Sequence, residues 1–320
     1  MSAAPVLAVD IGGTKIAAGL VDADGHVLAR EQVPTGDDPT GTLAQVIDAL
    51  TSAGPTAPTA PTGPTVPTGP TGIGIGCGGP MEWPRGVVAP LNIPAWSAGF
   101  GLREWFVERF PGVPVRLHND ALAFVAGEHW RGAGQGHDDV LGVVVSTGVG
   151  GGLVLGGQLR GGPTGNAGHV GHVVVDPDGP PCGCGGHGCV EAIARGPAMV
   201  AWAQEQGLDA VDGPAVAEAA RAGNVIALDA FRRSGRAVGQ GLAGVAAALD
   251  LDVIVLGGGL TQAGDLLLEH VREAFAEYGR MAFVQRTRIE SSALGADAGI
   301  VGAAALVLGG DSYWPGGWPS

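Results

Sequence analysis

The sequence predicts an α/β chain of two similar lobes, on three observations. Apolar strands alternate with helices along most of its length. A strand, a glycine-rich turn and a further strand occur near the start, in "VLAVDIGGTKIAAGLV", and again in "DDVLGVVVSTGVGGGLVLGGQLR". The 320 residues also exceed what one small core organises, since domains usually run to about 100–200 residues.

Taken in order, the opening strands flank a DADG turn, as in an antiparallel hairpin. A helix is expected over about Thr42–Ala53. Six consecutive Pro-Thr-X triplets then run from Pro55 to Gly72 at the three-residue period of a polyproline II helix. Such a stretch builds no core and reads as an exposed insert, 55–72, ahead of a strand at Gly72–Gly76. "VPVRLHNDALAFVAGEHWRG" reads as a strand ending at His118 and a helix reaching about Trp130, with Asn119 and Asp120 at its mouth. After the second strand–turn–strand unit the chain is largely helical from Arg195 to Leu249. The strand "DVIVLGGGL" and an apolar helix over about Asp297–Leu308 follow. The expected division is 1–118 for the N-terminal lobe, 119–296 for the C-terminal lobe, 297–309 for a helix returning to the first lobe, and 310–320 for a tail carrying two exposed tryptophans, Trp314 and Trp318.

A net charge of −14 disfavours nucleic acid as a partner, because phosphate-backbone binding draws on clustered Lys and Arg. No basic region, apolar core or cleavage site precedes Val6, and no apolar run reaches the length of a membrane span. A cytoplasmic protein without membrane partners is expected. In that reducing compartment Cys182, Cys184 and Cys189 read as metal ligands rather than disulfide partners, while Cys77 reads as a small buried residue.

In "DIGGTK", Asp10 ends a strand, Gly12 and Gly13 let backbone N–H groups approach an anion, and Thr14 and Lys15 add donors. The hexapeptide alone fits an ordinary hairpin turn equally well. A second strand with a glycine loop, holding Thr147, Gly148 and Gly150, and a third at Gly257, Gly258 and Gly259 favour nucleotide phosphates, with the adenosine against bare backbone at the third. Asp120 alone fits a helix N-cap. Functionally, its carboxylate would take the proton of an acceptor hydroxyl attacking the γ-phosphoryl group of ATP, with Mg2+ offsetting phosphate charge. Cys182-x-Cys184-x4-Cys189 supplies three thiolates, and either His172 or His187 a fourth ligand, a closed set for structural Zn2+ that braces a loop instead of activating water. His169 and Glu191 flank these ligands and are free to face a substrate.

Together "DIGGTK" (Asp10–Lys15), "NDA" (Asn119–Ala121) and "CGCGGHGCVE" (Cys182–Glu191) resemble the ROK family of sugar kinases and repressors, over Val6 to about Leu308. The resemblance implies a two-lobed actin-like ATPase fold (hexokinase-type, ribonuclease H-like) with a zinc-braced loop. It implies ATP and Mg2+ on one side of a cleft and sugar on the other, and a homodimer or higher homo-oligomer. Carried over by residue, it makes Asp120 the catalytic base, and Gly79, Asn92, Asn119, Asp120, His169, His172 and Glu191 the sugar ligands. It also favours His172 over His187 as the zinc ligand. Where glucokinase-like members read E-x-G-H, this chain reads "AGHVGH", which puts His169 in the glutamate's place. Imidazole both donates and accepts hydrogen bonds, whereas a carboxylate only accepts, so the sugar preference is expected to shift. That variant resembles the members that phosphorylate N-acetylmannosamine during sialic acid breakdown. The alternatives are a glucokinase or glucomannokinase and, less in keeping with an acidic chain that starts at the phosphate-loop strand, a sugar-sensing regulator.

Overall fold

The computed structural model describes residues 4–52, 69–314 and 318, so most of the Pro-Thr-X insert and part of the 310–320 tail lie outside the described residues. The chain forms two compact units: unit 1 takes residues 1–135, 157–167 and 296–320, and unit 2 takes 136–156 and 168–295.

Unit 1 opens with an antiparallel meander, β1 (Val6–Ile11), β2 (Lys15–Val21) and β3 (Val27–Pro34). Helix α1 (Pro39–Ser52) starts earlier than expected because the Asp38 carboxylate accepts the Gly41 N–H at 2.9 Å and proline suits the first helical position. Strand β4 (Ile73–Cys77) pairs parallel to β1. Three two-residue strands, β5 (Met81–Glu82), β6 (Val87–Val88) and β7 (Phe100–Gly101), form a small separate sheet. Helix α2 (Leu102–Arg109), strand β8 (Val115–Asn119) and helix α3 (Asp120–Arg131) complete this stretch. The main sheet runs β3-β2-β1-β4-β8. Period-two alternation divides β1: Leu7, Val9 and Ile11 face α1 and α2 through Leu43, Ile47 and Phe106, while Val6 and Ala8 face the other side.

Unit 2 begins with the hairpin β9 (Val140–Val145) and β10 (Val149–Leu155). The short β11 (Gln158–Leu159) falls in the 157–167 stretch of unit 1. Four helices follow: α4 (Val190–Ala194), α5 (Gly196–Glu205), α6 (Gly213–Arg221) and α7 (Val225–Leu249). Asn224 starts α7 by accepting the Ile226 and Ala227 N–H groups at 3.0 and 3.1 Å. Strand β12 (Val253–Gly257), helix α8 (Asp265–Tyr278) and strand β13 (Arg288–Ser291) complete the unit, and β9, β12 and β13 lie parallel in that order. Each unit thus sets a hairpin beside parallel strands, the recurrence the sequence predicts. No helix among the described residues is long and apolar enough to cross a membrane.

The chain returns to unit 1 with α9 (Ala298–Leu308) and α10 (Gly310–Tyr313). Ile300, Ala303 and Ala304 of α9 cover Val6 and Ala8 of β1 and Ala17 and Val21 of β2. Helices α3 and α9 touch at Gly127 and Gly302, where a Cβ on Gly127 would sit 2.8 Å from the Gly302 Cα. This packing keeps α3 with unit 1, so the first boundary falls after Gln135 and not at His118. The tail tryptophans differ from expectation as well. Trp314 and Trp318 are half-buried, edge-on at 4.5 Å between ring centres, and the Arg116 guanidinium lies 5.6 Å from the Trp318 ring. Tyr313 is buried, and its hydroxyl donates to the Ala126 carbonyl at 3.1 Å.

Candidate active site

In unit 1 the parallel strands β1, β4 and β8 end side by side, with Ile11, Cys77 and Asn119 in one row, so the residues after them gather at one sheet edge. Carboxyl ends of parallel strands are where such folds place ligands. The turn after β1 is closed by the Gly12 N–H on the Lys15 carbonyl at 2.9 Å. Thr35 steadies it from outside: its hydroxyl donates to the Gly12 carbonyl at 2.7 Å and its N–H to the Thr14 carbonyl at 3.1 Å. Thr14 and Lys15 are exposed. A Cβ on Gly13 would come within 2.6 Å of the Asn92 Cγ, so only glycine admits Asn92 against this turn. Gly78, which precedes Gly79 after β4, has the Asn92 Oδ1 and the Asp120 Oδ2 3.6 and 4.0 Å from its own Cβ position. The Gly12–Lys15 turn, Asn92 and Asp120 are therefore neighbours.

Of the pair at the strand-to-helix junction, Asn119 is the cap: its Oδ1 accepts the Ala121 N–H at 3.0 Å. Asp120 stands at the first helical position, half-buried, and its Oδ1 lies 2.8 Å from the same N–H. Capping is thus met by Asn119 without Asp120. Asp10 lies close by, its Oδ1 3.9 Å from the Cβ position of Gly76 and the Asp120 Cα 3.4 Å from it. Burial first, and the Asp120 charge second, push Asp10 up from 3.8 to about 6, against the pull of Lys15 and Arg30.

A raised carboxyl pKa means that folding favours the protonated form. Its contribution to stability is complete below about pH 4 and is lost as pH rises through 6. Asp120→Asn removes the second cause. The variant is expected to be more stable than the parent by about 1 kcal/mol at pH 8 and equal to it near pH 4 in urea unfolding; a difference independent of pH would refute the coupling.

Unit 2 carries the other two glycine loops, and the structure brings them together. A Cβ on Gly258, where φ is +98°, would strike the Val145 backbone, and one on Gly259 would sit 3.4 Å from the Ser146 hydroxyl. Gly257 ends β12 and Gly150 lies in β10, with Thr147 exposed at the hairpin tip. Helices α4 and α5 clamp this hairpin from its two ends: the Glu191 Oε2 of α4 accepts the Val149 N–H at 2.9 Å, and the Gly196 N–H at the start of α5 donates to the Ser146 carbonyl at 2.8 Å. The same Glu191 oxygen lies 2.9 Å from the Cβ position of Gly148. Glu191, expected only as a sugar ligand, therefore also shapes the Ser146–Val149 turn, a role that sequence spacing does not carry.

His172, Cys182, Cys184 and Cys189 place one ligand atom each within 4.8 Å of all the others. The Cys184 and Cys189 sulfurs are 3.8 Å apart, and the Cys182 sulfur is 3.6 Å from the His172 Nδ1. A tetrahedron with Zn–S bonds of about 2.3 Å has edges of roughly 3.8 Å, so the set fits Zn2+. His187 is outside the group; its segment forms a bridge with Pro181. Burial, then the neighbouring thiols, push Cys189 up to about 12, while the Gly186 N–H and the Cys182 side chain hold Cys184 down. Metal ligation takes the thiolate form, so Zn2+ bound by this set would displace the thiol protons. The His169 and His172 rings stack at 6.2 Å, and the His172 N–H donates to the His169 carbonyl at 3.0 Å, so the ligand set fixes the backbone at His169.

Residues 6–309 match the sequence profile of the ROK family. A glucokinase of Streptomyces coelicolor is 37% identical, with 94% of this chain and 96% of that protein aligned. An N-acetylmannosamine kinase of Yersinia pseudotuberculosis is 35% identical over 93% and 96%. A crystal structure of a ROK family glucokinase from Streptomyces griseus in complex with glucose and AMPPNP superposes with a TM-score of 0.79 at 35% identity, covering 94% of this chain and 98% of that one. With its phosphate turn, Asn119-Asp120 pair and cysteine segment placed as described, this chain belongs to the ROK family.

Proposed function

We propose that the protein is an ATP-dependent sugar kinase that phosphorylates the 6-hydroxyl of N-acetylmannosamine. The observation that carries the reaction type is the neighbourhood of the phosphate turn, Asn92 and the Asp120 carboxylate at one sheet edge of unit 1. Asp120 takes the hydroxyl proton as the sugar oxygen bonds to the γ-phosphorus; the bond from that phosphorus to the β–γ bridging oxygen breaks, and ADP leaves. Gly12, Gly13, Thr14 and Lys15 in unit 1, and Thr147, Gly148, Gly150 and Gly257–Gly259 in unit 2, hold the nucleotide. Mg2+ arriving with ATP would supply charge neutralisation on the phosphates. Asn92, Asn119, Gly79, His169, His172 and Glu191 orient the sugar. His172, Cys182, Cys184 and Cys189 would hold Zn2+, which would brace the loop that carries His169.

The sugar assignment rests on His169. An imidazole N–H can donate to the carbonyl of an acetamido group, which a carboxylate at that position would repel. Glucose is the competing substrate, favoured by the 37% identity to a glucokinase. A coupled assay of ADP release over N-acetylmannosamine, glucose, mannose, N-acetylglucosamine and fructose is expected to give the highest kcat/KM for N-acetylmannosamine. A clearly higher value for glucose would move the assignment to glucokinase. A cytoplasmic homodimer or higher assembly completes the proposal and is checked by light scattering.

A further inference from the structure

One buried group beside the reacting carboxylate has so far no role. His118, on β8 immediately before the Asn119-Asp120 pair, is 1% exposed. Its Nδ1 accepts the backbone N–H of Asn119 at 2.8 Å. The proton of the ring therefore sits on Nε2, and that atom is buried without a hydrogen-bond partner. Nε2 points at Gly161, whose Cβ position is 2.7 Å away, and the ring packs 5.6 Å from that of Trp83. An orphaned donor is costly in a folded chain, and a phenylalanine or leucine would fill this space without it. What an apolar side chain cannot do is accept the Asn119 N–H.

That N–H belongs to the residue at which strand turns into helix. Asn119 ends β8 and caps α3, with φ −57° and ψ 143°, and Asp120 follows as the first helical residue. Two hydrogen bonds fix the turn: the Asn119 side chain holds the Ala121 N–H in front, and the His118 ring holds the Asn119 N–H behind. We propose that His118 is a positioning residue, whose ring locks the strand-to-helix turn and thereby aims the Asp120 carboxylate at the acceptor hydroxyl. The inference rests on Asp120 being the base. Burial pushes His118 down from 6.5 to about 3, so the acceptor lone pair on Nδ1 is present at every working pH.

The test uses the full chain with His118→Phe, which keeps the ring and loses the acceptor, and His118→Asn, whose side-chain oxygen can take the place of Nδ1. His118→Phe is expected to lower kcat about 10- to 100-fold, the scale of a misplaced catalytic group, with KM for sugar and ATP within about threefold and an unchanged or higher Tm. His118→Asn is expected to recover most of kcat. Nitrogen-15 NMR of the parent between pH 5 and 8 is expected to show His118 unprotonated at Nδ1 and protonated at Nε2. The proposal is overturned if His118→Phe keeps kcat within about twofold, if His118→Asn falls as far as His118→Phe, or if Nδ1 carries a proton. Asp120→Asn assayed alongside separates the two readings. If it is inactive while His118→Phe is unaffected, only the positioning role fails; if it turns over normally, the base assignment itself fails.

Discussion

Asp120→Asn is expected to lower kcat for sugar phosphorylation about a thousandfold or more while leaving the sugar Kd within about threefold. The amide is nearly isosteric, and its oxygen can still meet the Ala121 N–H that lies 2.8 Å from the Asp120 Oδ1. Helix capping stays with Asn119, so the substitution leaves the strand-to-helix turn intact. What disappears is the capacity to take a proton. The rise in stability expected at pH 8 separates lost chemistry from lost folding, because a variant that is both better folded and inactive has lost a catalytic group. Stopped-time assays of ADP release and calorimetric titration with sugar measure the two quantities. Turnover within tenfold of the parent would remove Asp120 from the mechanism.

Cys189→Ser is expected to abolish tight Zn2+ binding and to cut kcat/KM by more than about a hundredfold, since a structural zinc site contributes folding free energy to its own loop. Cys189 is the most buried of the three clustered thiols and stands directly ahead of α4. Through Glu191 of that helix and Gly196 at the start of α5, this segment fixes the Ser146–Val149 turn proposed to hold nucleotide phosphates. The damage is therefore expected in KM for ATP as well as for the sugar. Elemental analysis should find about one zinc per parent chain and far less in the variant. Amide exchange over 168–196 should accelerate, with the α7–α8 core unchanged. Cys77→Ser, in buried β4 of unit 1, is the control and should retain the metal. Full zinc occupancy in Cys189→Ser would refute the ligand set.

Much of this arrangement is legible in the residues. The strands around "DIGGTK" and "STGVGGG", the helix after Asn119-Asp120 and the closing apolar helix appear within a few residues of their expected bounds, because each has a strong period or a turn signal at its end. The small sheet β5–β7 is not legible: strands of two residues are too short for alternation to register. Nor is the boundary after Gln135, which depends on glycines in α3 and α9 that meet only in the folded chain. In the candidate site, spacing alone leaves His172 and His187 equal and only the family resemblance favours His172, the residue that the fold brings to the three cysteines. His118 was missed as a functional residue because one histidine at a strand end carries no pattern; its signal is the unpartnered nitrogen. Thr35, which holds the phosphate turn, lies beyond two strands and has no motif of its own.

The helix Ala298–Leu308 has a consequence for how the protein is made. It covers Val6, Ala8, Ala17 and Val21, yet it is translated after the whole of residues 136–295. The β1–β3 meander must wait, with that apolar face open, until residues 298–308 have emerged. Nascent chains stalled ahead of residue 298 should accordingly recruit chaperones through β1 and β2, and release from them should coincide with arrival of the Ala298–Leu308 helix.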